Sequence, residues 1–414
     1  MPRTSALAVL VALVLLAALA AAVGPAGATA AEEGPDVLVV DGDRPAVSPV
    51  ANTTNYLSLE STDRTAYVRA DVDVAAAVGV SAQRLHARQD RAVFDARFEA
   101  SESESDRVAL VRETADIASA RTDRLDDRHG ALLRAYSNGS LSQETTLRRL
   151  ARLSVAAEVS QNTLQHVSDR VDGSSRTSVP VTLETRISDL QTGVVSLPNP
   201  VADRVEAGLA GERDPLVVHA GGTENELMLA TVDGGEFVRT ATVRDSYAPD
   251  QPDQFEQAEG RAVILALQRG GELYPWVYEN DIGGPQISGF GNTGVYLIRV
   301  DYGRGELRTY LSGGTTEPFH EIQTQRPGGV PVTGVTESAG DAVNLTLKTT
   351  TGSGPMRVQL AQPSTGAPLN GTVAVDGQVV GRTGDDGMLW TVQPDGQFRV
   401  NATTGAGSVD TTVP

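Results

Sequence analysis

Two stretches of the chain carry apolar positions that step alternately by three and four. Val108, Val111, Ala115, Ala118, Thr122, Leu125, His129, Leu132 and Tyr136 form the first. Leu150, Leu153, Ala157, Ser160, Leu164, Val167 and Val171 form the second. This spacing lays one seam along each of two helices, as in a helical hairpin or coiled coil. Between them stands Ser137-Asn138-Gly139-Ser140, which is turn chemistry. Gly139 can take the positive φ that ends a helix, and Ser140 or Ser142 can cap the next. A third, less regular helix is predicted over Val74–Ala100, with Leu85, Ala92, Phe94 and Phe98 as its apolar contribution. Short loops make neighbouring helices antiparallel, so three helices in a bundle are expected.

From residue 174 onward the pattern changes to β-branched runs broken by Gly, Asp and Pro. A short helical stretch is expected near 200–210. Strands are predicted at Leu216–Ala220, Leu227–Val232 and Phe237–Val243, the last two joined by Asp233-Gly234-Gly235-Glu236. A helix is predicted over Asp253–Gln268, then a hairpin of Gly294–Asp301 and Glu306–Ser312. The final stretch repeats short strands closed by Asp376-Gly377, Asp385-Asp386-Gly387 and Pro394-Asp395-Gly396, the pattern of a small antiparallel sandwich. Alternation after Gly387 puts Met388, Trp390 and Val392 on one face, and Trp390 is expected in the sandwich core.

The expected fold is therefore multidomain α+β: a helical hairpin or three-helix bundle, a mixed α+β domain, then an antiparallel β-sandwich. The expected divisions are 1–30, an export segment or N-terminal membrane anchor; 31–72, a short extended segment; 73–172, the helical domain; 173–325, the α+β domain; 326–340, a Gly/Pro-rich linker; and 341–414, an Ig- or transthyretin-like sandwich. In residues 1–30, Arg3 precedes an apolar run from Ala6 to Val23, and Ala28-Thr29-Ala30 is an A-x-A cleavage pattern. A run of this length is long for a signal core and almost spans a bilayer, so membrane contact is expected only through residues 1–30 if they are retained.

Charge sharpens this picture. The chain holds 53 acids against 34 bases, a net −19, with Lys348 as its one lysine and no cysteine. Missing cysteine excludes disulfides, thiolate metal sites and a cysteine nucleophile. Strong acidity argues against nucleic acid as a partner, because phosphate binding needs basic patches. Self-repulsion at this charge is tolerable where strong salt shrinks the Debye length to about 3 Å or less, so the composition resembles that of proteins of extreme halophiles.

Two stretches bear family resemblances. Residues 367–403 have Pro368-Leu369 before a strand, Gly381-x-Thr383, Asp386-Gly387 and Pro394-x-Gly396. They resemble the carboxypeptidase-regulatory or transthyretin-like sandwich, which implies a structural or adhesive module without an active site. Residues 294–319, with Val300-Asp301, Gly303 and Gly305 between two strands and a helix upstream, are similar to the PepSY-like unit. That likeness implies binding or inhibition of exported proteases. In order of parts, the whole resembles exported surface proteins of haloarchaea.

Catalytic signatures do not emerge. His86, His129, His166, His219 and His320 have no metal-ligand spacing. Ser288 does not sit in G-x-S-x-G, and the glycine-rich stretches at 220–222, 283–294 and 313–314 lack the lysine of a phosphate loop. Asp376, Asp385 and Asp386 read as turn residues rather than calcium ligands. Tyr274, Trp276 and Tyr278 read as a core plug rather than a stacking platform. No catalytic residue, cofactor site or metal ligand is assigned.

Five asparagines do carry a motif. Asn52, Asn138, Asn344, Asn370 and Asn401 each begin N-x-S/T, the N-glycosylation acceptor. The function expected is a non-enzymatic exported protein of the cell surface or medium, with cell-envelope proteins or glycans as partners and an oligomeric state left open. The alternatives are a regulatory binding protein for exported proteases or envelope components, and a hydrolase using carboxylates.

Overall fold

The computed structural model describes residues 47–257 and 260–414. The export segment read at 1–30 lies outside them, as does residues 31–46 of the extended segment. Among the described residues no helix is long and apolar enough to cross a membrane.

Three long helices follow the seams. They are α1 (Val74–Ala100), α2 (Glu104–Ser137) and α3 (Gln143–Asp172). Each start is capped as the sequence directs: Asp73, Ser103 and Ser142 accept from the backbone N–H three residues on. Gly139 ends the α2 turn at φ 76°. Apart from half-buried Val108, every residue of the two predicted seams is buried. On α1 the reading fails in part: Phe94 and Phe98 point inward, whereas Leu85 and Ala92 face solvent. Two further helices, α4 (Val181–Thr192) and α5 (Pro200–Leu209), extend the bundle. Sequence reasoning missed α4, because Pro180 gives it no side-chain cap and Val181, Thr182, Thr185 and Ile187 read as strand. Its Leu183, Ile187 and Leu190 nevertheless join Phe94, Val111 and Leu164 in one core.

The central element is an eight-stranded antiparallel sheet built of two four-stranded meanders. One is β3 (Arg64–Ala70), β4 (Leu216–Gly222), β5 (Glu226–Asp233) and β6 (Glu236–Val243). The other is β7 (Gln286–Gly289), β8 (Val295–Tyr302), β9 (Gly305–Ser312) and β10 (Pro318–Gln325). They join where β10 pairs with β6, Glu321 opposite Ala241 and Gln323 opposite Arg239. A short hairpin of β1 (Val47–Ser48) and β2 (Tyr56–Leu57) lies against this sheet without pairing with any of its strands.

Both faces are covered, which explains the continuously buried strands. On β5, Leu227 and Leu229 pack into the core shared with α2, α3 and α5. Met228 and Ala230 turn the other way, toward Val392. Farther along that second face, α6 (Ala262–Leu273) and α7 (Pro275–Glu279) cover β8 and β9. The helix expected over 253–268 is instead a 3₁₀ turn at Gln254–Gln257 followed by α6. Tyr274 is fully buried there, with Trp276 and Tyr278 packed against the same core, as the core-plug reading requires.

The C-terminal region is two four-stranded sheets, β11-β12-β13-β16 and β15-β14-β17-β18. Their strands are β11 (Gly334–Ala339), β12 (Asn344–Thr349), β13 (Pro355–Ala361), β14 (Gly371–Val375), β15 (Gln378–Arg382), β16 (Met388–Val392), β17 (Phe398–Thr404) and β18 (Ser408–Val413). Asp376-Gly377 turns β14 into β15 with both residues at positive φ. The faces of β16 are the reverse of those the alternation predicts. Leu389 packs on the sandwich core, whereas Val392 meets Met228 and Phe237 of the large sheet. Trp390 is half-buried on that outer side, close to Gly328.

Three expected boundaries shift as a result. Residues 64–70 are not a separate extended piece but an edge strand of the sheet. Residues before and after 172 share one core, since Leu147 and Leu150 pack with Leu209 and Val238. The expected linker contains β11, which pairs along β12 from Gly334 to Ala339. In each case the partner strand or helix lies far away in sequence, so local composition could not show the contact.

Candidate functional site

Two groups of ionisable side chains differ from the surface ion pairs: a buried knot on the face of the sheet and an open cleft beside α2. The knot is centred on Glu321 of β10 and Arg239 of β6, brought side by side by the pairing of those strands. Arg239 Nη1 donates to Glu321 Oε1 at 3.0 Å. Glu321 Oε2 accepts from Leu57 N at 2.8 Å and from the Tyr274 hydroxyl at 2.7 Å. Arg239 Nη2 donates to Leu57 O at 2.8 Å, and its guanidinium lies 4.8 Å from the Tyr56 ring centre. Gln323 Nε2 donates to Asn55 O, while Asn55 Nδ2 donates to Leu273 O. Burial pushes the Glu321 carboxyl up, and Arg239 pulls it back down. Both charges are removed from solvent, at 5% and 0% side-chain exposure. The group therefore works as a staple that holds β2 and α7 on the sheet. Sequence reasoning missed β10 altogether, because Phe319-His320-Glu321-Ile322-Gln323-Thr324-Gln325 is too polar to read as a central strand.

The cleft has a volume of about 700 Å³. Asp123, Asp126 and Asp127 of α2, Asp189 of α4 and Asp250 line it, with Arg244 as the sole lining cation among the described residues. Arg244 is held by Asp126 at 3.1 Å and donates to His129 Nδ1 at 3.1 Å. Burial pushes the His129 imidazole down to about 4, so it accepts as a neutral ring. Asp123, Asp127, Asp189 and Asp250 have no ion-pair partner among the described residues. At the cleft wall, Thr242 Oγ1 lies 2.8 Å from His320 Nδ1. That hydroxyl–imidazole pair has no carboxylate on the second ring nitrogen, which stands unpartnered, and burial lowers His320 to about 4. An imidazole that acidic is a weak general base at neutral pH.

The remaining candidates are dispersed. His86 is exposed, His166 pairs with Asp95 at 2.9 Å, and His219 is buried between sheet and sandwich, tilted on Tyr67 at 4.8 Å. Among the described residues no group of three or more His, Asp or Glu side chains could hold a metal ion. Asp376 and Asp386 accept from the backbone N–H groups of Arg399 and Met388, the roles of turn residues. Four sequon asparagines, Asn52, Asn138, Asn370 and Asn401, are exposed. Asn344 is half-buried, with an unpartnered Oδ1.

His219 yields a pH prediction. Burial lowers it to about 4 from an ordinary value near 6.5. Between these values the unfolded chain takes up the proton first, so stability falls as pH falls through 6.5. From pH 7 to pH 5 the loss from this residue should be about 2 kcal/mol. Denaturant titrations of His219→Phe should show a correspondingly flatter pH dependence than the parent. Parallel curves would show that His219 is not held neutral.

Three family models match the chain. Residues 2–214 match a domain of unknown function (DUF7096), residues 218–331 a family of unknown function (DUF7094), and residues 334–411 an archaeal fibronectin-III type-like domain. No curated protein and no solved structure matches. The last match agrees with the β-sandwich architecture and extends to β11. The stretch likened to a PepSY unit falls within the second match, whose description carries no function. Because the first match spans more than half of its length, the chain belongs to the DUF7096 family.

Proposed function

We propose that this chain is a non-enzymatic interaction protein, exported to the cell surface or medium of a halophile. The observation that carries the reading is the placement of its polar chemistry. Buried ionisable groups such as Glu321, Tyr274 and the three buried histidines serve packing. Four glycosylation acceptors instead face solvent. The apolar run before Ala28-Thr29-Ala30 and the net charge of −19 support the same reading. The terminal sandwich, matched to a fibronectin-III type-like module, suits an outward-facing spacer. A second reading, a regulatory binder of exported proteases or envelope components, draws on the cleft, whose four unpaired carboxylates suit a cationic segment. Treating intact cells with an external protease tests the location. Degradation on intact cells is expected, and full protection until lysis would refute display at the surface.

A further inference from the structure

Helix α1 is apolar on two opposite sides. Its inner side, Ala76, Val80, Ala87, Phe94 and Phe98, is buried in the bundle. Its outer side presents Val78, Ala82, Leu85, Gln89, Ala92 and Ala96, all exposed, in steps of four, three, four, three and four. Val78 and Leu85 are each 62% exposed, and Val74 and Val93 flank them at 70% and 50%. This is a second heptad seam on one helix, with nothing in the described structure packed on it.

The charges of α1 do not interrupt the seam because they lie to its sides; five of the seven pair with neighbouring helices, and Arg88 and Arg91 form no ion pair among the described residues. Arg84 pairs with Glu206, Asp90 with Arg121, Asp95 with His166 and Arg170, Arg97 with Glu113, and Glu99 with Arg170. The helix holds four arginines against three acids, in a chain of net −19. It is therefore a surface on which two copies can meet without the repulsion the rest of the chain carries.

We infer that this face pairs with α1 of a second copy, parallel and in register. Three features choose that occupant. Ala82, Ala92 and Ala96 are small, which lets another helix approach closely but gives little to bury in a bilayer, and the face has no aromatic residue. The three–four spacing is that of a partner helix. Gln89 is the one polar residue in the seam, and parallel pairing sets it against its own copy, where two amides satisfy each other and fix register. The seam covers about 28 Å of helix. At about 10 Å wide it buries roughly 600 Å² in total, below the 1,000 Å² or so of a stable interface. The pairing is therefore weak in dilute solution and is strengthened where copies are concentrated.

The full chain has no cysteine, so single cysteines report the contact directly. Ala82→Cys, Gln89→Cys and Ala96→Cys should each give a covalent dimer on oxidation or with a short bismaleimide, and Arg91→Cys on the flank should not. Leu85→Arg, placed in the Gln89→Cys chain, should lower the yield at least tenfold with an unchanged circular dichroism spectrum. Dimer at only one of the three positions would mean antiparallel pairing and overturn the inference. Dimer formed only after removal of residues 1–30 would make the apolar run the occupant, and binding to anionic vesicles without any dimer would make it a membrane. Either result would overturn the inference as well.

Discussion

Glu321→Leu, with Arg239 left in place, is expected to destabilise the protein by about 3–5 kcal/mol, because a guanidinium then stays buried without its counter-charge. The substitution also strips the acceptor from Leu57 N and from the Tyr274 hydroxyl, and each buried donor so orphaned adds about 1–3 kcal/mol. Arg239→Met should cost a similar amount, since it leaves a buried carboxylate. The double variant is the informative one. With both charges gone the desolvation cost disappears, so Arg239→Met with Glu321→Leu should be more stable than either single change. Urea unfolding of the four proteins at one high salt concentration measures the cycle. If the double variant loses the sum of the single losses, the two side chains do not act as a pair.

The second large effect lies in the helical core. Leu164 is 1% exposed among Phe94, Val111 and Ile187. Leu164→Asp buries a carboxylate with no cation beside it and should cost on the order of 3–5 kcal/mol. Leu85→Asp makes the same chemical change on the outer face of α1 and should shift stability of the single copy by less than about 0.5 kcal/mol. The contrast matters more than either number. A large loss at Leu85 measured in dilute solution would mean that α1 sits the other way round.

What could be read from the sequence followed from how local its cause was. The α2 and α3 seams and the Gly139 turn depend on residues within a few positions of each other, and they stand where the pattern puts them. So do the hairpins at Gly234-Gly235 and Asp376-Gly377, where positive φ is needed on the spot. The failures share a different cause. β10 carries His320, Glu321 and Gln323 because each bonds to a distant group, Thr242, Arg239 and Asn55 in turn. Trp390 and Leu389 exchanged faces because the outer side of the sandwich is covered by the large sheet, which alternation alone cannot reveal. Leu85 and Ala92 read as core residues because both faces of α1 are apolar, and no rule of period selects between them. The candidate site was the least legible part. The cleft draws Asp123, Asp126 and Asp127 from α2, Asp189 from α4 and Asp250 from a loop, and in so acidic a chain no one of them stands out.

The proposal of an exported, glycosylated surface protein is tested most directly by the intact mass of the protein recovered from the cell envelope and medium of its own host. The expected result is a chain lacking residues 1–30, carrying added mass at one or more of Asn52, Asn138, Asn370 and Asn401 that an Asn→Gln change at each site removes. A full-length, unmodified chain recovered from the cytoplasm would contradict it.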